Sequence, residues 1–209
     1  MKIIHILFYF TFFSFTISHA SINDFCVADL KASYSLSGYP CKALANITSD
    51  DFVFHGFVAG NTSNSFKLGI TTASVANFPA INGLGISVMR VNIDEGGFAP
   101  MHTHPGSTEL IIVVQGEITV GFVTPTSFYS KALKSGDLFV IPQGMLHFVV
   151  NSGKGTAAGF AAYSNENPTV QQLDLLLFAN KLPSNLVAQT TLLDLDQVKK
   201  LKAHFGGSG

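Results

Sequence analysis

A series of short β-type runs, separated by Gly, Pro, Asn and Ser, constrains the fold of this chain more than any other feature. The runs extend from residue 66 to residue 163. Several alternate in period two, and others, such as residues 110–114, are apolar on both faces. Many short strands at regular spacing are typical of a β-sandwich or a β-barrel. We therefore predict a mainly β fold with candidate strands at residues 66–72, 85–93, 109–115, 118–123, 127–133, 137–141, 146–150 and 157–162.

The pattern becomes helical after Pro168. Helices are predicted over residues 170–180, 184–190 and 194–205, with Asp194 as the N-cap of the last one. The four residues that follow, Gly-Gly-Ser-Gly, are predicted to be flexible.

These helices follow the strands rather than alternate with them. We therefore predict a single-domain β-barrel over residues 66–165 with a helical extension over residues 166–209. An apolar helical arm outside a closed barrel needs a cover, and we expect a partner subunit to provide it.

The first 20 residues differ from the rest of the chain. Lys2 precedes an apolar run, and Ser18-His19-Ala20 offers small residues at a cleavage site. This pattern is typical of a secretory signal peptide, predicted at residues 1–20. A retained membrane anchor is the weaker interpretation, because the run is short for a span of about 20 residues and no basic stop follows it. We expect no membrane span in the mature chain.

Residues 21–65 are polar and rich in turns, and they are predicted to form an irregular N-terminal arm. Cys26 and Cys41 are the two cysteines of the chain, and in an oxidising compartment they most simply form one disulfide. The arm also carries two sequons, which predict N-glycosylation at Asn46 and Asn61 if the chain is secreted.

Length and charge limit the classes of function. A chain of 209 residues suits one globular domain with a substantial core. Its formal net charge is −1, and 12% of its residues are charged. Because no basic face is available to collect phosphates, nucleic acid is not expected as a partner.

Two histidine-bearing clusters predict a metal site. His102 and His104 are two residues apart, so on a strand both side chains point to the same face. Glu109 follows a Pro-Gly turn at the start of the next strand, and His147 arrives from a separate hairpin. We predict that these four residues bind one metal ion inside the barrel.

The residue types narrow the choice of metal. A structural zinc site would use thiolates prominently, and no cysteine lies near these residues. Mixed imidazole and carboxylate ligation with open positions suits Mn or Fe. The residue types alone do not separate those two metals, and they leave Cu, Ni and Zn open.

The spacing of both clusters resembles the two cupin motifs position for position. The first reads Gly96-x5-His102-x-His104-x4-Glu109-x6-Gly116, and the second reads Gly136-x5-Pro142-x-Gly144-x2-His147-x3-Asn151. With the paired cysteines, the leader, the sequon at Asn61 and the C-terminal helices, the mature chain resembles a plant germin-like protein of the auxin-binding-protein-like branch.

This resemblance implies a jelly-roll β-barrel. It also implies one Mn ion per subunit, held by His102, His104, Glu109 and His147, and a hexamer built as a trimer of dimers. The implied location is the apoplast and cell wall.

The members of this family do not share one activity. Two positions in this sequence help to distinguish oxalate oxidation from superoxide dismutation. Germins that oxidise oxalate resemble this chain but carry asparagines where it has Met89 and Ala99. A thioether and a methyl group cannot donate hydrogen bonds to a dicarboxylate, so oxalate oxidase is disfavoured. Superoxide dismutation, which yields hydrogen peroxide, requires an open coordination position beside the ion, a suitable redox potential and protons. It needs no elaborate substrate pocket, and a small pocket is predicted to be lined by Met89, Phe98, Ala99, Met101, Phe139 and Ile141.

The leading hypothesis is therefore a secreted manganese superoxide dismutase that produces peroxide in the cell wall in defence or development. The alternative is a receptor-like or auxin-type carboxylate-binding protein without catalysis. In either case we expect a small anionic substrate or ligand.

Overall fold

The computed structural model describes residues 24–35 and 38–209, so the predicted signal peptide lies outside the described part of the chain. The described residues form two five-stranded antiparallel sheets, with the orders β1-β2-β9-β4-β7 and β10-β3-β8-β5-β6. The strands are β1 (Leu68–Ala73), β2 (Ser87–Ile93), β3 (Phe98–Thr103), β4 (Glu109–Gln115), β5 (Glu117–Val123), β6 (Phe128–Lys134), β7 (Leu138–Ile141), β8 (Leu146–Asn151), β9 (Ala157–Tyr163) and β10 (Gln171–Gln172).

The prediction of a mainly β fold is confirmed, and every predicted strand is present with small shifts at its ends. Two strands were missed. Strand β3 contains Pro100, which cannot donate to a ladder and is tolerated at irregular positions. The pairing of β3 with β8 is in fact irregular between Ala99 and His102. Strand β10 has only two residues and directly precedes a helix.

The main core fills the space between the two sheets, and β4 shows how the sequence places it. Glu109, Ile111 and Val113 are buried, whereas the residues between them are more exposed. Alternate residues of a strand point to opposite faces. The register that buries Ile111 and Val113 therefore also places the Glu109 carboxylate inside the barrel.

The N-terminal arm packs on the outside of this sandwich. Cys26 and Cys41 form the predicted disulfide. The ring of Phe57 stacks on Phe160 of β9 with centroids 5.8 Å apart. Asn46 and Asn61, the sequon residues, are both exposed.

Three helices follow the strands: α1 (Leu173–Phe178), α2 (Ser184–Thr191) and α3 (Leu195–Phe205). They share a small core of their own, centred on Phe178, Val187 and Val198. Asp194 is the N-cap of α3, as predicted, and its side chain accepts from the backbone N–H groups of the first turn. Across residues 24–35 and 38–209, no helix combines the length and apolar character needed to cross a membrane.

The prediction of a flexible C-terminal tail is wrong. Lys202 of α3 is 3% exposed. Its ammonium group donates to the carbonyls of Asn180, Leu182 and Ser208 at 3.1, 2.5 and 2.9 Å. Gly207 packs so closely that a Cβ there would lie 2.0 Å from a backbone oxygen. The glycines of the tail permit close packing here, and the buried ammonium group fixes the end of the chain.

Candidate metal centre

The fold brings the four predicted ligands to one point between the sheets. His102 lies near the end of β3, and His104 follows that strand. His147 lies on β8 directly opposite His102, whereas Glu109 begins β4 of the facing sheet. One ligand atom from each residue can be chosen so that all four lie within 4.8 Å of one another. One sheet and the loop after β3 thus supply three imidazoles, and the other sheet supplies the carboxylate.

Each imidazole is oriented by a backbone carbonyl. The Nδ1 atoms of His102, His104 and His147 lie 2.7, 2.8 and 2.8 Å from the carbonyl oxygens of Pro100, Thr169 and Met145. A carbonyl oxygen can only accept, so each Nδ1 carries the proton and donates it. In a neutral ring Nε2 then has a free lone pair, which is the form that a metal ion requires.

The atoms at the centre lack hydrogen-bond partners. Nε2 of His104, Nε2 of His147 and Oε2 of Glu109 are buried without a hydrogen bond. The Glu109 oxygen lies 2.9 Å from Nε2 of His147 and 3.6 Å from Nε2 of His104. Buried polar atoms without partners are unfavourable. A shared proton could satisfy one of these contacts, but only a cation can satisfy all three atoms, so the residues fit a bound metal ion.

The electrostatics keep the ligands in the form that binds metal. Burial lowers the pKa of His102 from 6.5 to about 4, and the neighbouring His147 adds to this shift. Burial also lowers the pKa of His104. Burial alone would raise the pKa of Glu109, but its contact with His147 and the nearby imidazoles outweigh burial, so that this pKa is lowered. Near neutral pH, His102 and His104 are therefore uncharged and the carboxylate is ionised.

Tyr163 also belongs to the site, although no sequence motif indicated it. It lies on β9 opposite Glu109, it is 4% exposed, and its hydroxyl donates to Glu109 Oε1 at 3.3 Å. Burial, and then the Glu109 charge, raise the pKa of Tyr163 well above its ordinary value, so the hydroxyl keeps its proton. The Tyr163 hydroxyl thus forms a hydrogen bond with Oε1 of Glu109, and Oε2 of Glu109 remains directed to the centre. Only the long-range pairing of β4 with β9 reveals this contact.

A cavity of about 190 Å³ lies beside the centre, between the sheets. Its walls are mainly apolar, and His102, His104, Glu109 and Tyr163 form its polar end. The lining also includes residues of β2, of β3 and of the segment at and just before β10: Met89, Ala99, Val170 and Gln172.

The structure corrects the predicted pocket. Met89 and Ala99 line the cavity, whereas Phe98, Met101, Phe139 and Ile141 are not part of its lining. Phe98 and Met101 each neighbour an inward-facing residue of β3, and the ring of Phe98 packs edge-on against Phe66 instead. Phe139 and Ile141 pack into the hydrophobic core. Sequence spacing alone did not separate core side chains from cavity side chains.

A two-sheet barrel that encloses three imidazoles and a carboxylate defines the class of this molecule as a candidate metal-binding β-barrel. The family model described as Cupin matches residues 54–199. Auxin-binding protein ABP19b of Prunus persica is 51% identical over 203 residues, covering 96% of this chain and 97% of that protein. Germin-like protein subfamily 3 member 3 of Arabidopsis thaliana is 48% identical over 210 residues, covering all of both chains.

A solved structure supports the same assignment. A recombinant oxalate oxidase in complex with glycolate superposes with a TM-score of 0.83 at 34% identity, covering 88% of this chain and 96% of that one. The chain therefore belongs to the cupin family and, within it, to the germin-like proteins. The resemblance expected from the sequence motifs is confirmed.

Proposed function

We propose that this protein is a secreted manganese superoxide dismutase of the plant cell wall, which forms hydrogen peroxide in defence or development. The observation that carries the proposal is the convergence of three carbonyl-oriented imidazoles and one carboxylate on a single buried point. Mixed imidazole and carboxylate ligands suit manganese or iron. When bound, manganese would supply the one-electron chemistry that oxidises one superoxide to oxygen and reduces the next to peroxide, with two protons consumed.

The side chains of the site favour a small anion. Three neutral imidazoles and one carboxylate leave a divalent cation with a net positive charge, which attracts superoxide along the cavity. Tyr163 holds Glu109 through Oε1, which fixes the carboxylate without adding charge. The apolar walls exclude most water and strengthen the attraction between the anion and the centre.

Met89 and Ala99 argue against oxalate oxidation. Both residues line the cavity, and neither can donate a hydrogen bond to a second carboxylate. A site that recognises a polar substrate depends on such donors. The structural similarity to oxalate oxidase therefore supports a shared fold and site, and the lining supports a different substrate.

Secretion and assembly belong to the same proposal. The Cys26–Cys41 disulfide suits an oxidising compartment, and the exposed Asn46 and Asn61 are accessible to glycosylation. We place the protein in the apoplast as a homo-oligomer, a hexamer formed as a trimer of dimers. The exposed leucines of the helical extension, such as Leu176 and Leu192, support a partner subunit, since Leu192 is 91% exposed.

The size of the cavity favours a second candidate function, the binding of a carboxylate without catalysis. An apolar cavity of roughly 150 Å³ is enough to bind benzene, and the cavity here is larger, at about 190 Å³. Superoxide needs far less room. Relatives named auxin-binding proteins agree with a small organic acid as the ligand.

An assay of superoxide consumption tests the leading proposal. Metal-loaded wild type should consume superoxide, and His102→Ala and His147→Ala should not. His204→Ala is the matched control, because His204 is an exposed histidine of α3 far along the chain from the centre. Equal activity in wild type and both ligand variants would exclude the enzyme. Oxalate-dependent release of peroxide would overturn the inference from Met89 and Ala99.

A further inference from the structure

Gln172 stands out among the residues around the cavity. It lies on β10, the short strand that the C-terminal segment adds to the edge of the second sheet, and it pairs directly with His102 of β3. Opposite residues of an antiparallel pair project to the same face, with their Cβ atoms about 4.5–5.5 Å apart. The side chain of Gln172 therefore lies beside that of a metal ligand, and Gln172 lines the cavity.

One end of the Gln172 amide, its Nε2 group, has no hydrogen-bond partner within the described part of the chain. The Nε2 atom is buried. A buried amide donor without an acceptor is unfavourable, and proteins retain such groups where a ligand or a functional constraint accounts for them. The position of this donor, at the polar end of an otherwise apolar cavity, indicates that its acceptor is a ligand.

The other side-chain donors of the lining already form hydrogen bonds within the protein. The Nδ1 protons of His102 and His104 are donated to backbone carbonyls, and the Tyr163 hydroxyl is donated to Glu109. Among the lining residues in the described part of the chain, Gln172 Nε2 is thus the one side-chain donor without an acceptor. A single donor beside a cation suits one carboxylate group, and the apolar walls suit an apolar body attached to it.

We propose that Gln172 is a specificity-determining residue that donates a hydrogen bond to a small monocarboxylic acid, whose carboxylate lies between Gln172 and the metal centre and whose apolar body fills the cavity. This inference rests on the metal centre of the proposed function. A dicarboxylate fits less well, because the cavity offers no donor to its second carboxylate. The ligand would compete with superoxide for the open side of the centre.

The segment from Thr169 to Gln172 contacts both a metal ligand and the proposed binding position of the acid. The carbonyl of Thr169 accepts from His104 Nδ1 at 2.8 Å, and Gln172 lies three residues further along the same segment. This segment therefore orients one metal ligand and supplies the donor that selects the bound acid. Selectivity among relatives with the same four ligands can then differ through this segment.

Calorimetric titration of manganese-loaded protein with phenylacetate and with benzoate tests the proposal. Gln172→Leu removes the donor and keeps a side chain of similar length, so we expect affinity for both acids to fall about 10- to 100-fold. Gln172→Glu should also lose affinity, because a second carboxylate repels the acid. The matched control is Gln171→Leu, since Gln171 is an exposed residue of the same short strand, and its affinities should equal those of wild type.

Two further measurements separate a binding role from a structural one. Gln172→Leu should retain the metal content of wild type, and without ligand its melting temperature should be unchanged or higher, because a buried donor without a partner has been removed. Addition of phenylacetate should change the electron paramagnetic resonance spectrum of the bound Mn(II) in wild type and Gln171→Leu.

The outcomes distinguish this inference from the proposed function. Saturable binding with equal affinity in wild type and Gln172→Leu would overturn the role of Gln172, as would a metal-loaded wild type that consumes superoxide but binds neither acid. A wild type that retains no metal would overturn the inference and the proposed function together. A lower melting temperature and lower metal content in Gln172→Leu would show that the residue is structural and would also overturn the inference.

Discussion

Two buried polar clusters of this molecule differ in how their hydrogen-bonding capacity is met. In the C-terminal helical unit, Lys202 is buried and its ammonium group donates to three carbonyls. In the barrel, Nε2 of His104, Nε2 of His147 and Oε2 of Glu109 face one another without a donor among them. The first cluster contains its own cation, the Lys202 ammonium group. The second contains only acceptor atoms, and these fit a bound metal cation.

The difference separates a structural cluster from a binding site. A buried charged group with complete hydrogen bonding stabilises the fold, and removal of that group leaves acceptors buried without partners. A cluster of converging lone pairs destabilises the folded state in the absence of a ligand. Binding of a cation to the folded state then increases its stability. Substitutions in the two clusters should therefore affect different quantities.

The largest effect is expected on metal affinity. His147 is 1% exposed and its Nε2 lies 2.9 Å from Glu109 Oε2. Loss of a residue that merely supports a ligand already costs about 10- to 100-fold in metal affinity, so His147→Ala should weaken Mn(II) binding by more than about 1,000-fold. Competition titration with a chelator measures this. Unchanged affinity would show that His147 is not a ligand, and Lys202→Met should bind metal as wild type does.

Lys202→Met should have the largest effect on stability. It removes the ammonium donor from the carbonyls of Asn180, Leu182 and Ser208, of which only that of Asn180 keeps a second donor, the Ser208 N–H. We expect a loss of roughly 3 kcal/mol in the free energy of unfolding. Urea denaturation measures the change. Lys200→Met is the matched control, because Lys200 is exposed on the same helix. If both variants unfolded at the same urea concentration as wild type, Lys202 would not stabilise the helical unit.

Acidic pH should reduce the stability that the metal-free barrel site contributes and should not affect the Lys202 cluster. The pKa of His102 is about 4 in the folded chain and 6.5 as an ordinary value, so below pH 6.5 the unfolded chain binds the proton more readily. This contribution to stability is complete above pH 6.5 and is lost as the pH falls towards 4, by about 3 kcal/mol. His102→Gln should remove this part of the pH dependence in urea denaturation of metal-free protein. An identical pH dependence in the variant would contradict the assignment.

The smallest effect is expected at the start of α3. The Asp194 side chain accepts from the backbone N–H of Asp196 at 2.8 Å and of Gln197 at 3.3 Å. Asp194→Ala should destabilise the protein by about 1 kcal/mol, with metal affinity unchanged. Thermal denaturation with and without Mn(II) measures both. A variant that lost metal binding would show that the helical unit and the centre are more tightly coupled than the separate cores suggest.

The sequence predicted the parts of the site that depend on local spacing. His102 and His104 are two residues apart just before the Pro-Gly turn, and Glu109 follows that turn. Glu109 was placed at the start of β4, but residues 110–114 are apolar on both faces, so the sequence did not show which of them face inward. The motif around His147 supplied the fourth ligand, because its Gly and Pro residues fix a turn that can be recognised without the fold.

The parts that were missed depend on pairing between distant segments. Tyr163 meets Glu109 only because β9 pairs with β4, and Gln172 meets His102 only because β10 pairs with β3. The C-terminal tail has a composition typical of flexible chain, but its glycines permit close packing beside the Lys202 cluster. Composition predicts conformational freedom, and the tertiary contacts determine whether that freedom is retained.

Elemental analysis of protein purified from its native source shows whether the four converging side chains hold manganese. We expect close to one manganese ion per chain in wild type, and loss of that metal in His147→Ala produced in the same way. Native protein that carries no manganese, or a His147→Ala variant that retains the full amount, would contradict it.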